Sequence, residues 1–131
     1  QLKKINFFLK KREEIKKIYD NEFKNTNLGL QIKNKDCRST NHLYVIAVPK
    51  IENLNRDKLL EALKRKKIGA VIHYIPIHYH PYYKKLGFKK GEFPNSEKYY
   101  SEAVSLPIHP GLKINQTQFI AKFIKKFITQ L

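Results

Sequence analysis

"HLYVIAVPKIENLNRDKLLEALKRKKIGAVIHYI" (residues 42–75) decides the fold class. Its first seven residues, 42–48, are β-branched, aromatic and apolar and stop at Pro49, the pattern of a largely buried strand. After the turn at 51–55, Asn55 can cap a helix over 56–66 with Leu59, Leu60 and Leu63 facing inward. "IGAVIHYI" (68–75) then reads as a second strand. Upstream, residues 1–23 place Leu2, Ile5, Leu9, Ile15, Tyr19 and Phe23 near helical spacing, and Phe8 widens the apolar face. That helix starts without a capping residue, as a chain continuing upstream would. Residues 25–31 are turn-like and then extended, and 33–41 read as polar loop.

Downstream, Pro76 and Pro81 break regular structure, so 76–95 reads as mostly loop. A short helix over 95–104, with Asn95 or Ser96 as cap, leads to a brief extended segment at 105–107. In the last piece Phe119, Ile120, Phe123, Ile124, Phe127, Ile128 and Leu131 repeat at i, i+3, i+4, i+7, with Asn115 and Gln118 spaced as a capping box. The connections are too varied for a regular doubly wound sheet. The order predicts an α+β fold, a small sheet packed against helices in two layers.

The 131 residues suffice for one domain, and an apolar fraction of 41% is ordinary for a folded chain. No run approaches the roughly 20 apolar residues of a membrane helix. The single Cys37 leaves no internal disulfide and fits a reducing compartment, so the expectation is a soluble cytoplasmic domain with no membrane partner. A net charge of +16 favours phosphate-bearing ligands. The lysines, however, are scattered pairs along the whole chain, which reads as solvated faces and predicts no nucleic-acid partner. A stand-alone basic module for nucleic acid or another polyanion is the alternative.

"HYIPIHYHPYY" (73–83) carries the chemistry. A metal reading would use His78 and His80, two apart, with His73 nearby; no thiolates accompany them and the nearest carboxylate in sequence is Glu92, so no metal is expected. A stacking reading would use Tyr74, Tyr79, Tyr82 and Tyr83 beside Lys84 and Lys85, but no RNA-binding motif accompanies them. A third reading makes the stretch one wall of an active site, its imidazoles and phenols orienting a polar ligand. The residues alone do not choose between that wall and simple packing.

The blocks "HLYVI", "R-x-x-L-x-x-x-L", "HYIPIH", "PYY", "FPxxE" and "SLPxxPGL", in that order, resemble the C-terminal domain of the DegT/DnrJ/StrS-type sugar aminotransferases. These are pyridoxal-phosphate enzymes of the aspartate-aminotransferase fold type. The wording of the motifs is most like the transaminases that form 4-amino-4,6-dideoxy-altrosamine for pseudaminic acid. The resemblance covers essentially all of 1–131 and implies a single small domain, with 1–24 as the connecting helix. It implies a complete enzyme that moves an amino group, from glutamate, onto a keto group of a nucleotide-linked deoxysugar, as a homodimer. The cofactor-binding large domain, with its Schiff-base lysine, has no counterpart in this chain. No catalytic residue is therefore assigned, and the chain alone is expected to be inactive and to hold no pyridoxal phosphate. The matched loop implies His73, Tyr74 and His78 as substrate-binding residues. Tyr82, Tyr83 and His109 are expected to be structural, and Pro107 and Pro110 to fix a turn. The family usually has glycine where Lys67 stands; a left-handed Lys67 would cost about 1 kcal/mol. Lys113 stands where a threonine often caps the last helix, which would move the cap to Asn115.

Overall fold

The computed structural model describes residues 2–32 and 34–130. The expectations for Gln1, Lys33 and Leu131 lie outside those residues. A 3-10 turn at Leu2–Lys4 leads into α1 (Ile5–Phe23), whose cap position, Lys4, makes no side-chain hydrogen bond. Then follow β1 (Gly29–Leu30), β2 (Tyr44–Ala47), α2 (Arg56–Arg65), α3 (Pro81–Lys85), α4 (Pro94–Glu102), β3 (Ala103–Leu106) and α5 (Ile114–Thr129). The strands form one antiparallel sheet in the order β1-β2-β3, with Ile46 opposite Val104 and Val45 opposite Ser105. The α+β architecture stands, with helices packed on a small sheet.

Alternation along the strands sorts the two faces. Tyr44, Ile46, Val104 and Leu106 join Ile15, Tyr19 and Phe23 of α1, Leu59 and Leu63 of α2, and Ile120 and Ile124 of α5 in one core. Val45, Ala103 and Ser105 are also buried, on the opposite face of the sheet. That second face matters below, because Ser105 sits on it.

Several boundaries differ from the sequence reading, each for a physical reason. The span 68–75 is no strand: Val71 alone pairs with Ser105, N–H to carbonyl in both directions (3.1 and 2.8 Å). Gly69 and Ala70 offer little side chain to pack, Val71 and Ile75 are half exposed, and Pro76 lacks an N–H, so nothing extends the ladder. The loop 76–95 holds a 3-10 turn at Ile77–Tyr79 and α3, because Pro81, a breaker of what precedes it, is well suited to the first position of a helix. Pro94 opens α4 in the same way, so neither Asn95 nor Ser96 caps it, and Ala103 and Val104 belong to β3. At α5 the cap position is Lys113 itself. Its N–H donates to Gln116 Oε1 at 3.0 Å, and Asn115 lies inside the helix. Phe119, expected inward, is 54% exposed.

The C-terminus of α2 matches the expectation. Lys67 adopts φ +56°, the Ile68 N–H reaches the Leu63 carbonyl (2.9 Å) and the Lys67 N–H the Lys64 carbonyl (2.9 Å). This is the paired Schellman arrangement in a residue whose Cβ opposes it. Lys67→Gly is expected to stabilise the chain by about 0.5–1 kcal/mol, the relief of left-handed strain less the entropy glycine adds to the unfolded chain. Urea titration reads it directly; an unchanged midpoint would show the strain to be absorbed elsewhere. No helix among the described residues is long and apolar enough to cross a membrane.

Candidate functional site

The chain between Val71 and α4 builds the site. His73 is partly buried and its Nδ1 lies 2.7 Å from Ser105 Oγ, on the second face of the sheet. The next peptide bond, His73–Tyr74, is cis, and Tyr74 is 75% exposed. Pro76 is buried, and the Ile77–Tyr79 turn then carries His78 inward to 7% exposure. Its Nε2 lies 2.9 Å from Glu97 Oε1 on the first turn of α4. The Gly91 N–H donates to the same oxygen at 2.7 Å. Phe93 packs on the His78 ring at 4.8 Å.

One carboxylate oxygen therefore gathers two donors from outside its own helix. Burial acts to raise the Glu97 pKa, but the Gly91 N–H, His78 and Tyr79 together outweigh it and hold the carboxyl below its ordinary 4.5. Burial first, and then the charge of Glu97, push the Tyr79 hydroxyl up. Because the folded-state pKa of Glu97 is depressed, its contribution to stability is present above 4.5 and disappears as the pH falls through the folded value. The stability advantage of the native chain over Glu97→Gln is thus expected to be constant near neutrality. It narrows below 4.5 and closes once the folded carboxyl is protonated. Denaturant midpoints at pH 7 and at stepped acidic values check this, and a pH-independent difference would contradict it.

Two of the three predicted site residues meet: the His73 and Tyr74 rings lie edge to face with centroids 4.6 Å apart, while His78 is drawn inward to Glu97. Tyr74 faces outward and His73 sits at the edge of the sheet. His78 lines a cleft of about 300 Å³ with Ile77, Tyr83, Phe88, Phe93 and Ser96 while bonded to Glu97. Tyr82, expected to pack, is 66% exposed, and Tyr83 rests its ring 6.3 Å from Phe88. His109 is exposed at a turn closed by the Leu112 N–H on its carbonyl (3.0 Å). The sequence reading gave no role to Glu97 or Ser105. Both stand in quoted blocks, the Glu of "FPxxE" and the Ser of "SLPxxPGL", and that was the available signal. The carboxylate that meets His78 is Glu97, not the sequence neighbour Glu92. Among the described residues no group of three or more His, Cys, Asp and Glu side chains could hold a metal ion.

Pyridoxal phosphate needs a lysine, a carboxylate for its ring nitrogen and a phosphate cradle in one cavity. Two clefts combine lysines with aromatic rings, one with Lys66, Lys67 and Phe119, the other with Lys84, Lys89, Lys90, Tyr79 and Phe88. No carboxylate lines either; a third cleft joins Lys10 and Lys17 to Glu13 and Glu14, but the lysines of all three are exposed rather than held against a ring-binding carboxylate. Among the described residues these clefts do not fit the cofactor.

The family model for the DegT/DnrJ/EryC1/StrS aminotransferase family matches residues 1–125, and the chain belongs to that family. It is 40% identical over 134 residues to the uncharacterized protein MJ1066 of Methanocaldococcus jannaschii, covering 99% of this chain and 34% of that protein. It is 34% identical over 121 residues to the UDP-4-amino-4,6-dideoxy-N-acetyl-beta-L-altrosamine transaminase of Campylobacter jejuni, covering 92% of this chain and 32% of that one. The structure of Helicobacter pylori PseC, an aminotransferase involved in the biosynthesis of pseudoaminic acid, superposes with a TM-score of 0.82 at 33% identity, covering 100% of this chain and 35% of that one. The chain thus spans about a third of the length of the relatives it matches.

Proposed function

We propose that residues 1–131 act as the small domain of a pyridoxal-phosphate-dependent nucleotide-sugar aminotransferase, with 1–24 as the helix that enters it. The complete enzyme aminates a keto group of a nucleotide-linked deoxysugar, takes the amino group from glutamate and works as a homodimer in the cytoplasm. The cofactor, held by a large domain, supplies the carriage of the amino group. The contribution of this chain is substrate binding. The observation that carries the reading is the exposed Tyr74 phenol at the crown of a loop whose two ends are fixed to the domain. Tyr74 offers a hydroxyl to sugar or diphosphate oxygens. His73, with Nδ1 engaged by Ser105, turns its other nitrogen to the ligand, and His78 forms the floor of the adjoining aromatic cleft. Kinship with named nucleotide-sugar transaminases supports the substrate class.

The test is a chimera in which this chain replaces the matching third of the C. jejuni transaminase. Glutamate-dependent amination of that enzyme's keto sugar is expected to survive. Tyr74→Ala in the chimera is expected to raise KM by about tenfold, the loss of a hydrogen bond to a charged partner. A chimera that folds and holds its cofactor but aminates no nucleotide sugar sinks the reading.

A further inference from the structure

Residues 73–78 form a short span held at each end by a histidine. His73 is fixed to Ser105 at 2.7 Å and His78 to Glu97 at 2.9 Å, while Tyr74 and Ile75 between them are exposed. The two partners belong to one uninterrupted piece of chain, because α4 ends at Glu102 and β3 begins at Ala103. The sheet ladder carries Ser105 through Val45, and the Val48 N–H on the Glu102 carbonyl (2.8 Å) locks the junction. Any tilt of α4 therefore moves one end of the span relative to the other.

We propose that Glu97 and Ser105 are positioning residues that together set the direction in which Tyr74 meets its ligand. This inference rests on the reading of Tyr74 as a substrate contact. An acidic residue on the first turn of a helix often does no more than complement the helix dipole. Glu97 does more: its Oε1 accepts from His78 and from the Gly91 N–H, so it draws two loop segments onto α4. Ser105 lies on a strand position where a buried hydroxyl without a partner would be costly, and His73 is that partner. Neither residue touches the ligand. Each acts through a histidine on the one exposed tyrosine between them.

The experiment follows Tyr74 ring resonances and relaxation by NMR in this chain, native and as Glu97→Ala, Glu97→Gln and Ser105→Ala. Methyl signals of the core residue Ile124 report whether each variant is folded. Without ligand, Tyr74 is expected to be ordered in the native chain, to average between rotamers in Glu97→Ala and Ser105→Ala, and to regain order in Glu97→Gln, which keeps an acceptor. Uridine diphosphate is then titrated: it is expected to shift Tyr74 in the native chain, with the midpoint about fivefold higher in both alanine variants. Tyr74 order and uridine diphosphate midpoints in folded Glu97→Ala and Ser105→Ala chains equal to those of the native chain overturn the positioning roles and leave the substrate reading standing. A native chain in which uridine diphosphate leaves Tyr74 unmoved overturns the substrate reading, and this inference with it.

Discussion

Tyr19→Ala is expected to lower the unfolding free energy by about 3–5 kcal/mol, a large part of the roughly 5–15 kcal/mol that holds a domain of this size. Tyr19 is fully buried where α1 crosses β2. Its ring stacks on Phe23 (5.9 Å between centroids, 7° between planes) and lies 4.8 Å from Tyr44. Its hydroxyl donates to the Pro107 carbonyl at 3.0 Å, which ties the first helix to the segment after the last strand. Burial pushes the hydroxyl's pKa up, as it must for a phenol kept neutral inside. Truncation empties a ring-sized volume that rigid neighbours cannot fill. Tyr19→Phe separates the two contributions: it keeps the ring, leaves the Pro107 carbonyl without this donor and is expected to cost about 1–2 kcal/mol. Tyr44→Phe should cost less, because Asp20, which accepts from Tyr44 at 2.8 Å, keeps Lys16 as a partner. Thermal unfolding of the three variants gives the order, and a Tyr19→Phe as damaging as Tyr19→Ala would place the stabilisation in the hydrogen bond rather than in packing.

Features with a local cause were legible. The apolar stripes of α1, α2 and α5 announce burial of one face, and Asn55 caps α2 by accepting from the Lys58 N–H at 2.9 Å, as its position predicts. The left-handed Lys67 was signalled by the family resemblance, which puts glycine at that position, rather than by local pattern. The failures share a different cause. Whether 68–75 is a strand depends on what lies beside β3, and no periodicity reports that; only Val71 finds a partner. Pro81, read as a breaker, begins a helix, and so does Pro94, which falls in the span read as loop. Phe119 fits the helical repeat of α5 yet lies at the rim of the cleft by Lys66 and Lys67, outside the core. At the site, the loop was legible as a concentration of imidazole and phenol, but its partners were not. His78 and Glu97 are 19 residues apart and meet only because α3 and the turn before α4 fold the chain back. Proximity in sequence pointed to Glu92 instead.

Arg56→Ala is expected to cost about 2–3 kcal/mol, more than an exposed arginine ever does. The residue opens α2, where a positive charge opposes the helix dipole, so local helix energetics do not explain its presence. Its environment does. The side chain is buried, its Nη1 donates to the Tyr100 carbonyl near the end of α4, and its guanidinium lies 4.9 Å from the centre of the Tyr100 ring. Asp57, next in the chain, accepts from Nε at 2.9 Å and balances the charge at the helix start. Removing the arginine leaves a carbonyl unpaired, loses the contact over the ring and frees the C-terminal turn of α4 from α2. Arg56→Lys keeps the charge but lacks the planar fork that serves carbonyl, ring and carboxylate at once, so it should recover less than half of the loss. The same tie holds the end of α4, and α4 carries Glu97. In the C. jejuni chimera Arg56→Lys is therefore expected to raise KM for the sugar while kcat changes little, although Arg56 contacts neither His78 nor Tyr74 through any hydrogen bond. A chimera with lowered stability and an unaltered KM would confine Arg56 to holding the fold and would separate α2 from the site.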